Sequence, residues 1–158
     1  MISRAVVTGG AVAWLGLLLA APWLPTVMAA ALYAAASVLC HQIPERSLYL
    51  GGAQLPVCAR CLGIYAELAA GVVVWFGSVA DGDRVARMPV ARWFAVAAAP
   101  TVATVLLETA GVLRTTNLER LLAGVVLGVG GAAVVMWAVA TLHYERCQQQ
   151  VRGQTGVS

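Results

Sequence analysis

Apolar segments of about twenty residues make up most of this chain, and they limit its fold more than any other feature. A segment of that length crosses the ~30 Å hydrocarbon core of a bilayer as a helix. Only 11% of the residues are charged, against roughly a quarter in soluble domains. Backbone polar groups inside lipid must be satisfied within the protein, which favours helices. The sequence therefore predicts an all-α, polytopic membrane helix bundle in contact with the lipid bilayer.

Five apolar runs are candidate spans, at residues 5–21, 26–39, 57–80, 93–112 and 118–142. Pro22 and Pro25 separate the first two, because proline removes a backbone donor and breaks a helix. The count is five spans, or four if the first two runs form one broken unit, with a Cys/His loop between the second and third. We predict a single transmembrane domain over residues 1–142 and a polar, disordered tail over residues 143–158.

The N-terminus has a second interpretation. Arg4, the apolar run after it and the small residues at 29–31 fit the outline of a signal peptide, but the apolar character continues past the Pro break, which favours retained helices. Arginines are shared evenly between the two sides of a five-span topology. Arg60 and Arg120 lie at or within helix ends and count less toward the positive-inside rule. The 80–92 loop and the tail are therefore predicted to be cytoplasmic, which places the Cys/His loop on the extracytoplasmic side.

The Cys/His loop carries the strongest chemical signal. Cys40, His41, Cys58 and Cys61 lie within twenty-two residues. The Cys58-x-x-Cys61 pair opens the third predicted helix, where the two sulfurs lie about one turn apart. Zinc sites commonly use three cysteines and one histidine. The pattern predicts one transition-metal ion bound by these four residues, with zinc favoured and iron or copper as alternatives.

A thiol–disulfide oxidoreductase that uses Cys58 and Cys61 is the alternative. A helix N-terminus stabilises a thiolate, and Arg60 adds positive charge beside the pair. His41 discriminates between the two, since disulfide exchange does not require it. A third interpretation is that the cysteines are small buried apolar residues. The sequence contains no hydrolase triad, phosphate loop or dinucleotide fingerprint, so no catalytic residue is assigned and enzymatic activity stays open.

The segments CHQIPERS at residues 40–47 and GGAQLPVCARCLGIY at residues 51–65 closely resemble the signature of a prokaryotic membrane-protein family, domain of unknown function 2085. The resemblance extends to four later positions, Asn117, Arg120, Gly124 and Gly128. It implies a multi-pass protein of a prokaryotic plasma membrane, and it implies no activity. Leu62 stands where the pattern has a small hydroxylated residue, and Glu108 stands near an expected Asp-containing segment.

Polar residues inside the spans are candidates for supporting the site. Arg60, Asn117 and Arg120 are predicted to surround the ligands, with Asn117 as an N-cap and Arg120 leaning toward the Cys/His loop. An acid within the membrane costs ~2.5–3.5 kcal/mol on insertion scales. Glu67 is therefore interpreted as a structural partner for Arg114 or Arg120 rather than as a proton relay.

Glycines on the last predicted helix indicate how it packs. Gly124-x-x-x-Gly128 permits close contact between helices, and packing within the chain is favoured over dimerisation, with a homo-oligomer as the alternative.

No basic cluster indicates nucleic acid, and no protein partner is identified. His143 and Cys147 are predicted to be incidental to the site.

Overall fold

Five α-helices and one β-hairpin make up the part of the chain that the structure, a computed structural model, describes: residues 4–77 and 87–155. The helices are α1 (Arg4–Ala20), α2 (Thr26–Ser37), α3 (Ala59–Gly77), α4 (Val90–Thr109) and α5 (Asn117–Thr155). The strands are β1 (Ser47–Leu50) and β2 (Ala53–Cys58), and short 3-10 turns occupy Ala21–Trp23 and Pro44–Arg46.

Among the described residues, three helical segments are long and apolar enough to cross a membrane, namely Ala5–Trp23, Val90–Thr109 and Asn117–Gln150. Helix α2 has 12 residues, which is short for a span of about 20. The predicted start of the third span at residue 57 is wrong, because Val57 and Cys58 lie in β2 and α3 begins at Ala59. The total of four or five spans stays a prediction.

The prediction of an all-α protein also missed the hairpin. Its strands pair antiparallel, with Ser47 opposite Cys58 and Leu50 opposite Ala53. The turn between them is Gly51-Gly52, with φ values of 58° and 81°, a conformation that glycine adopts without steric cost. The sequence predicted a structured loop over residues 42–56, without strands. The hairpin instead folds the chain back so that Cys58 returns to the end of α2.

Helices α3 and α5 pack with almost no side-chain layer between them. A Cβ atom built on Gly63 would overlap the carbonyl oxygen of Leu121, and one on Gly124 would overlap that of Arg60. A Cβ on Gly128 would lie 2.8 Å from the carbonyl oxygen of Ile64. The prediction that Gly124 and Gly128 serve packing within the chain is confirmed.

A buried apolar cluster joins the N-terminal helices to the hairpin. Its buried members are Leu18, Ala21, Leu32, Ala36, Cys40, Leu55, Val57 and Leu62. Cys40 belongs to this cluster, and Cys58 and Cys61 pack against it. The three cysteines are therefore anchored in packed structure rather than held on a free loop.

Some predictions concern residues near or beyond the limits of the described ranges. The predicted domain boundary at residue 142 falls inside α5, which continues to Thr155, and a disordered tail over 143–158 stays a prediction. The predicted loop at residues 80–92 lies mostly outside the described residues, and so do the side chains of His143 and Cys147.

Candidate metal centre

The junction of β2 and α3 positions two of the three sulfurs. Cys58 is the last residue of β2, and α3 begins at the next residue, so Cys58 occupies the N-cap position. Its sulfur accepts hydrogen bonds from the backbone N–H groups of Arg60 and Cys61, as an N-cap side chain does. The CxxC spacing then brings Cys61 one turn along, next to Cys58.

Cys40 reaches the pair from the end of α2. Its side chain is buried, and its sulfur accepts a hydrogen bond from the backbone N–H of Cys58 at 3.2 Å. The sulfurs of Cys40, Cys58 and Cys61 all lie within 4.8 Å of one another. Tetrahedral zinc, with Zn–S bonds near 2.3 Å, holds its sulfurs about 3.8 Å apart. Side-chain shifts of about an ångström would therefore let all three bind one ion.

His41 does not join this group. Among the described residues, only the three cysteines form a potential metal cluster. The His41 side chain is exposed, although it lines the same cavity as the sulfurs. The structure thus buries Cys40 and places His41, the next residue, at the rim of the cavity.

Gln42 holds the backbone of this loop in place. It has a φ of 52°, in the left-handed region that non-glycine residues seldom adopt. Its side-chain amide donates hydrogen bonds to the carbonyl oxygens of Tyr33 at 2.7 Å and Pro56 at 2.9 Å. Gln54 in turn donates to the Gln42 carbonyl oxygen at 2.8 Å. These bonds tie the residues after Cys40 to both α2 and the hairpin.

A buried ion cluster joins α3, α4 and α5 beside the sulfurs. The Glu108 side chain, only 5% exposed, lies 3.0 Å from Arg120 Nη2 and 3.6 Å from Arg60 Nη2. Arg120 Nε also donates to Glu108 at 3.0 Å, and Arg60 donates to the Thr104 hydroxyl at 3.1 Å. Glu67 was expected to pair with Arg114 or Arg120, and for Arg120 this is wrong, because Glu108 contacts its guanidinium. The sequence alone had marked Glu108 only as a departure from a pattern.

Asn117 connects the ion cluster to the hairpin. Arg120 Nη1 donates to the Asn117 side-chain oxygen at 3.0 Å, and the Asn117 amide donates to the Ser47 carbonyl oxygen at 3.1 Å. Asn117 is therefore not the N-cap that we predicted. Thr116 caps α5 instead, because its backbone N–H donates to Glu119 while its hydroxyl accepts from the Glu119 N–H, a capping box.

A cavity of about 180 Å³ is lined by the three cysteines and by nearby arginines. Its charged and sulfur-bearing lining consists of Cys40, Cys58, Cys61, Arg46, Arg60 and Arg120. Arg60 and Arg120, two of the three predicted supporting residues, thus line the space beside the sulfurs. The third, Asn117, does not line the cavity and instead accepts a hydrogen bond from Arg120.

The thiol of Cys58 is acidified by its surroundings. A hydrogen bond from the Cys61 thiol, assisted by backbone N–H groups and Cys40, lowers the pKa of Cys58 to about 5 against the opposing effect of burial. In metal-free, reduced protein we expect the iodoacetamide reaction at Cys58 to be nearly constant between about pH 6 and pH 8, where an ordinary thiol with pKa ≈ 8.5 becomes steeply more reactive. Mass spectrometry of tryptic peptides measures this profile. A Cys58 rate that follows the profile of a free peptide thiol would contradict it.

Comparison with known proteins finds similarity over the part of the chain that contains the three cysteines. A family model described as "Predicted membrane protein (DUF2085)" matches residues 40–134. An uncharacterised protein of Methanocaldococcus jannaschii is 46% identical over 44 residues, which is 28% of this chain and 28% of that protein. The chain therefore matches just over a quarter of that relative's length. No solved structure matches the chain.

Proposed function

This chain belongs to the DUF2085 family of predicted membrane proteins, and we propose that it binds one transition-metal ion, with zinc favoured over iron or copper, through the thiolates of Cys40, Cys58 and Cys61. The single observation that carries the proposal is the approach of the three sulfurs to within 4.8 Å. Cysteines that served only as small apolar residues would not need to converge from the segment after α2, from β2 and from α3.

Hydrogen bonding to the sulfurs supports the same function. The Cys58 N–H donates to the Cys40 sulfur, and Cys58 accepts from two N–H groups of the first turn of α3. Donors of this kind stabilise thiolate charge and orient ligands around a metal. The nearby arginines act in the same sense, since three thiolates and one divalent ion carry a net negative charge that needs a partner when buried.

His41 remains a candidate for the fourth ligand. It lies at the rim of the cavity that the sulfurs line, and its side chain is exposed. To bind, the imidazole would have to turn inward from the rim. The three thiolates define the site, and His41 would only complete it.

Elemental analysis by mass spectrometry tests the proposal. We expect about one metal ion per wild-type chain purified in detergent without chelators or metal-affinity resin, and close to none in a Cys58→Ser, Cys61→Ser variant, because losing two of three thiolates removes most of the binding free energy. A Cys147→Ser variant is the matched control and should keep its metal. Absence of metal from the wild type, or equal content in all variants, would contradict a metal site.

Thiol–disulfide exchange is a second candidate, favoured by one specific observation. Cys58 sits at the N-cap of α3 with a pKa of about 5, as the attacking cysteine of a CxxC pair does. Its thiolate would attack a partner disulfide to form a mixed disulfide. Cys61 would then displace the partner as a dithiol and leave a Cys58–Cys61 disulfide. A metal-free wild type that exchanges disulfides, with activity lost in Cys61→Ser and retained in His41→Ala, would establish this function instead.

A further inference from the structure

We propose that the cavity beside the sulfurs is a binding site for one small anion, a carboxylate or an inorganic oxyanion, which takes the fourth coordination position of the metal. This inference rests on the metal centre proposed above and specifies what the centre binds. It assigns to an external ligand the position that the sequence had assigned to His41.

The size and access of the cavity suit such a ligand. Its volume of about 180 Å³ is below the roughly 300–1,000 Å³ of pockets for drug-sized molecules, and it is ample for an ion of a few heavy atoms. The lining runs from exposed side chains, His41 and Arg46, to the buried Cys40. An ion can therefore enter from the hairpin side and reach the sulfurs.

With a metal bound, the charged groups around the cavity would carry a net positive charge. Three thiolates and a divalent ion carry −1 together, and Glu108 contributes another −1. Arg46, Arg60 and Arg120 contribute +3, which leaves a surplus of +1. A cavity with unbalanced positive charge and low-dielectric walls concentrates anions.

The arginines differ in what they can still donate. Arg120 already directs Nε, Nη1 and Nη2 toward Glu108 and Asn117, which leaves one further N–H on each of its two terminal nitrogens. Arg60 is not saturated, since its Nε is buried without a hydrogen-bond partner among the described residues. Buried donors are seldom left unpaired in native proteins. Arg46, exposed at the rim, is free to follow an entering anion.

Coordination chemistry points the same way. Structural zinc sites are closed by four protein ligands, whereas sites that bind exogenous groups have three and keep a fourth position open. Within residues 4–77 and 87–155, the cysteine cluster has three members. The cavity lies against all three, so the open position faces the space into which the arginines project.

Visible absorption spectroscopy of the cobalt-substituted protein tests the proposal. The full chain in detergent, with perchlorate as background salt, is titrated with sodium acetate and separately with sodium sulfate. We expect a saturable change in the d–d bands with at least one of them. Saturation by acetate alone identifies a carboxylate site, and saturation by sulfate identifies an oxyanion site. Arg46→Gln should weaken the apparent affinity about two- to fivefold, as loss of an exposed ion pair does.

The controls separate this proposal from the metal site itself. Arg114→Gln removes an exposed arginine outside the cavity lining and should leave the affinity unchanged. A cobalt-loaded wild type that responds to neither anion overturns the anion site alone, and a response confined to His41→Ala identifies His41 as the fourth ligand. Equal affinities in Arg46→Gln and wild type overturn the role of the cavity. Failure to bind cobalt overturns the metal site and this inference together.

Discussion

Replacing Glu108 by glutamine is expected to lower the free energy of unfolding by about 3–5 kcal/mol, the usual cost of removing one partner from a buried ion pair. The Glu108 carboxylate is almost fully buried and contacts both Arg60 and Arg120. Glutamine is nearly the same size, so packing is retained while the charge is lost. Two buried guanidinium groups would then lack a counter-charge.

The measurement is reversible unfolding of metal-free protein in detergent, so that loss of metal does not contribute to the difference. Glu145→Gln is the matched control, because Glu145 is exposed on α5 and exposed substitutions usually change stability by less than about 0.5 kcal/mol. Equal effects of Glu108→Gln and Glu145→Gln would show that the ion cluster does not hold α3, α4 and α5 together.

Replacing Gly124 by alanine is expected to destabilise the protein by about 1–3 kcal/mol and to lower its metal content. The added methyl group would overlap the carbonyl oxygen of Arg60, which is backbone and cannot rotate away. Arg60 lies between Cys58 and Cys61, so any displacement of α3 that relieves the overlap also moves two of the proposed ligands.

Gly131→Ala on the same helix is the control for this prediction. A Cβ atom at Gly131 would meet nothing within 4 Å, and alanine is the better helix former by about 1 kcal/mol. This variant should therefore unfold at or above the wild-type temperature and retain its metal. If the two alanine variants had the same stability and metal content, the close packing of α3 on α5 would not support the site.

Features set by local patterns could be predicted from the sequence. Long apolar runs predicted α4 and the start of α5 to within a few residues, and the glycine spacing at Gly124 and Gly128 predicted close packing. The CxxC pair with an upstream Cys-His predicted that Cys40 would meet Cys58 and Cys61. The first two follow from the periods of helices, whereas the approach of Cys40 to Cys58 also requires the hairpin between them.

Features that depend on tertiary contacts could not be predicted. The hairpin was missed because its strands have four and six residues and β2 contains a proline, which argues against a strand. The Gly51-Gly52 pair was the signal that could have identified its turn. The pairing of Glu108 with Arg60 and Arg120 depends on how three helices come together, and nothing in the spacing distinguishes Glu108 from Glu67 as the partner.

The most direct test of the metal centre is X-ray absorption spectroscopy at the edge of the metal that copurifies with the wild-type protein. Binding by Cys40, Cys58 and Cys61 predicts three sulfur scatterers at about 2.3 Å if the metal is zinc, with one nitrogen or oxygen near 2.0–2.2 Å. A first shell made only of nitrogen and oxygen, or one sulfur at most, would contradict the three-thiolate site.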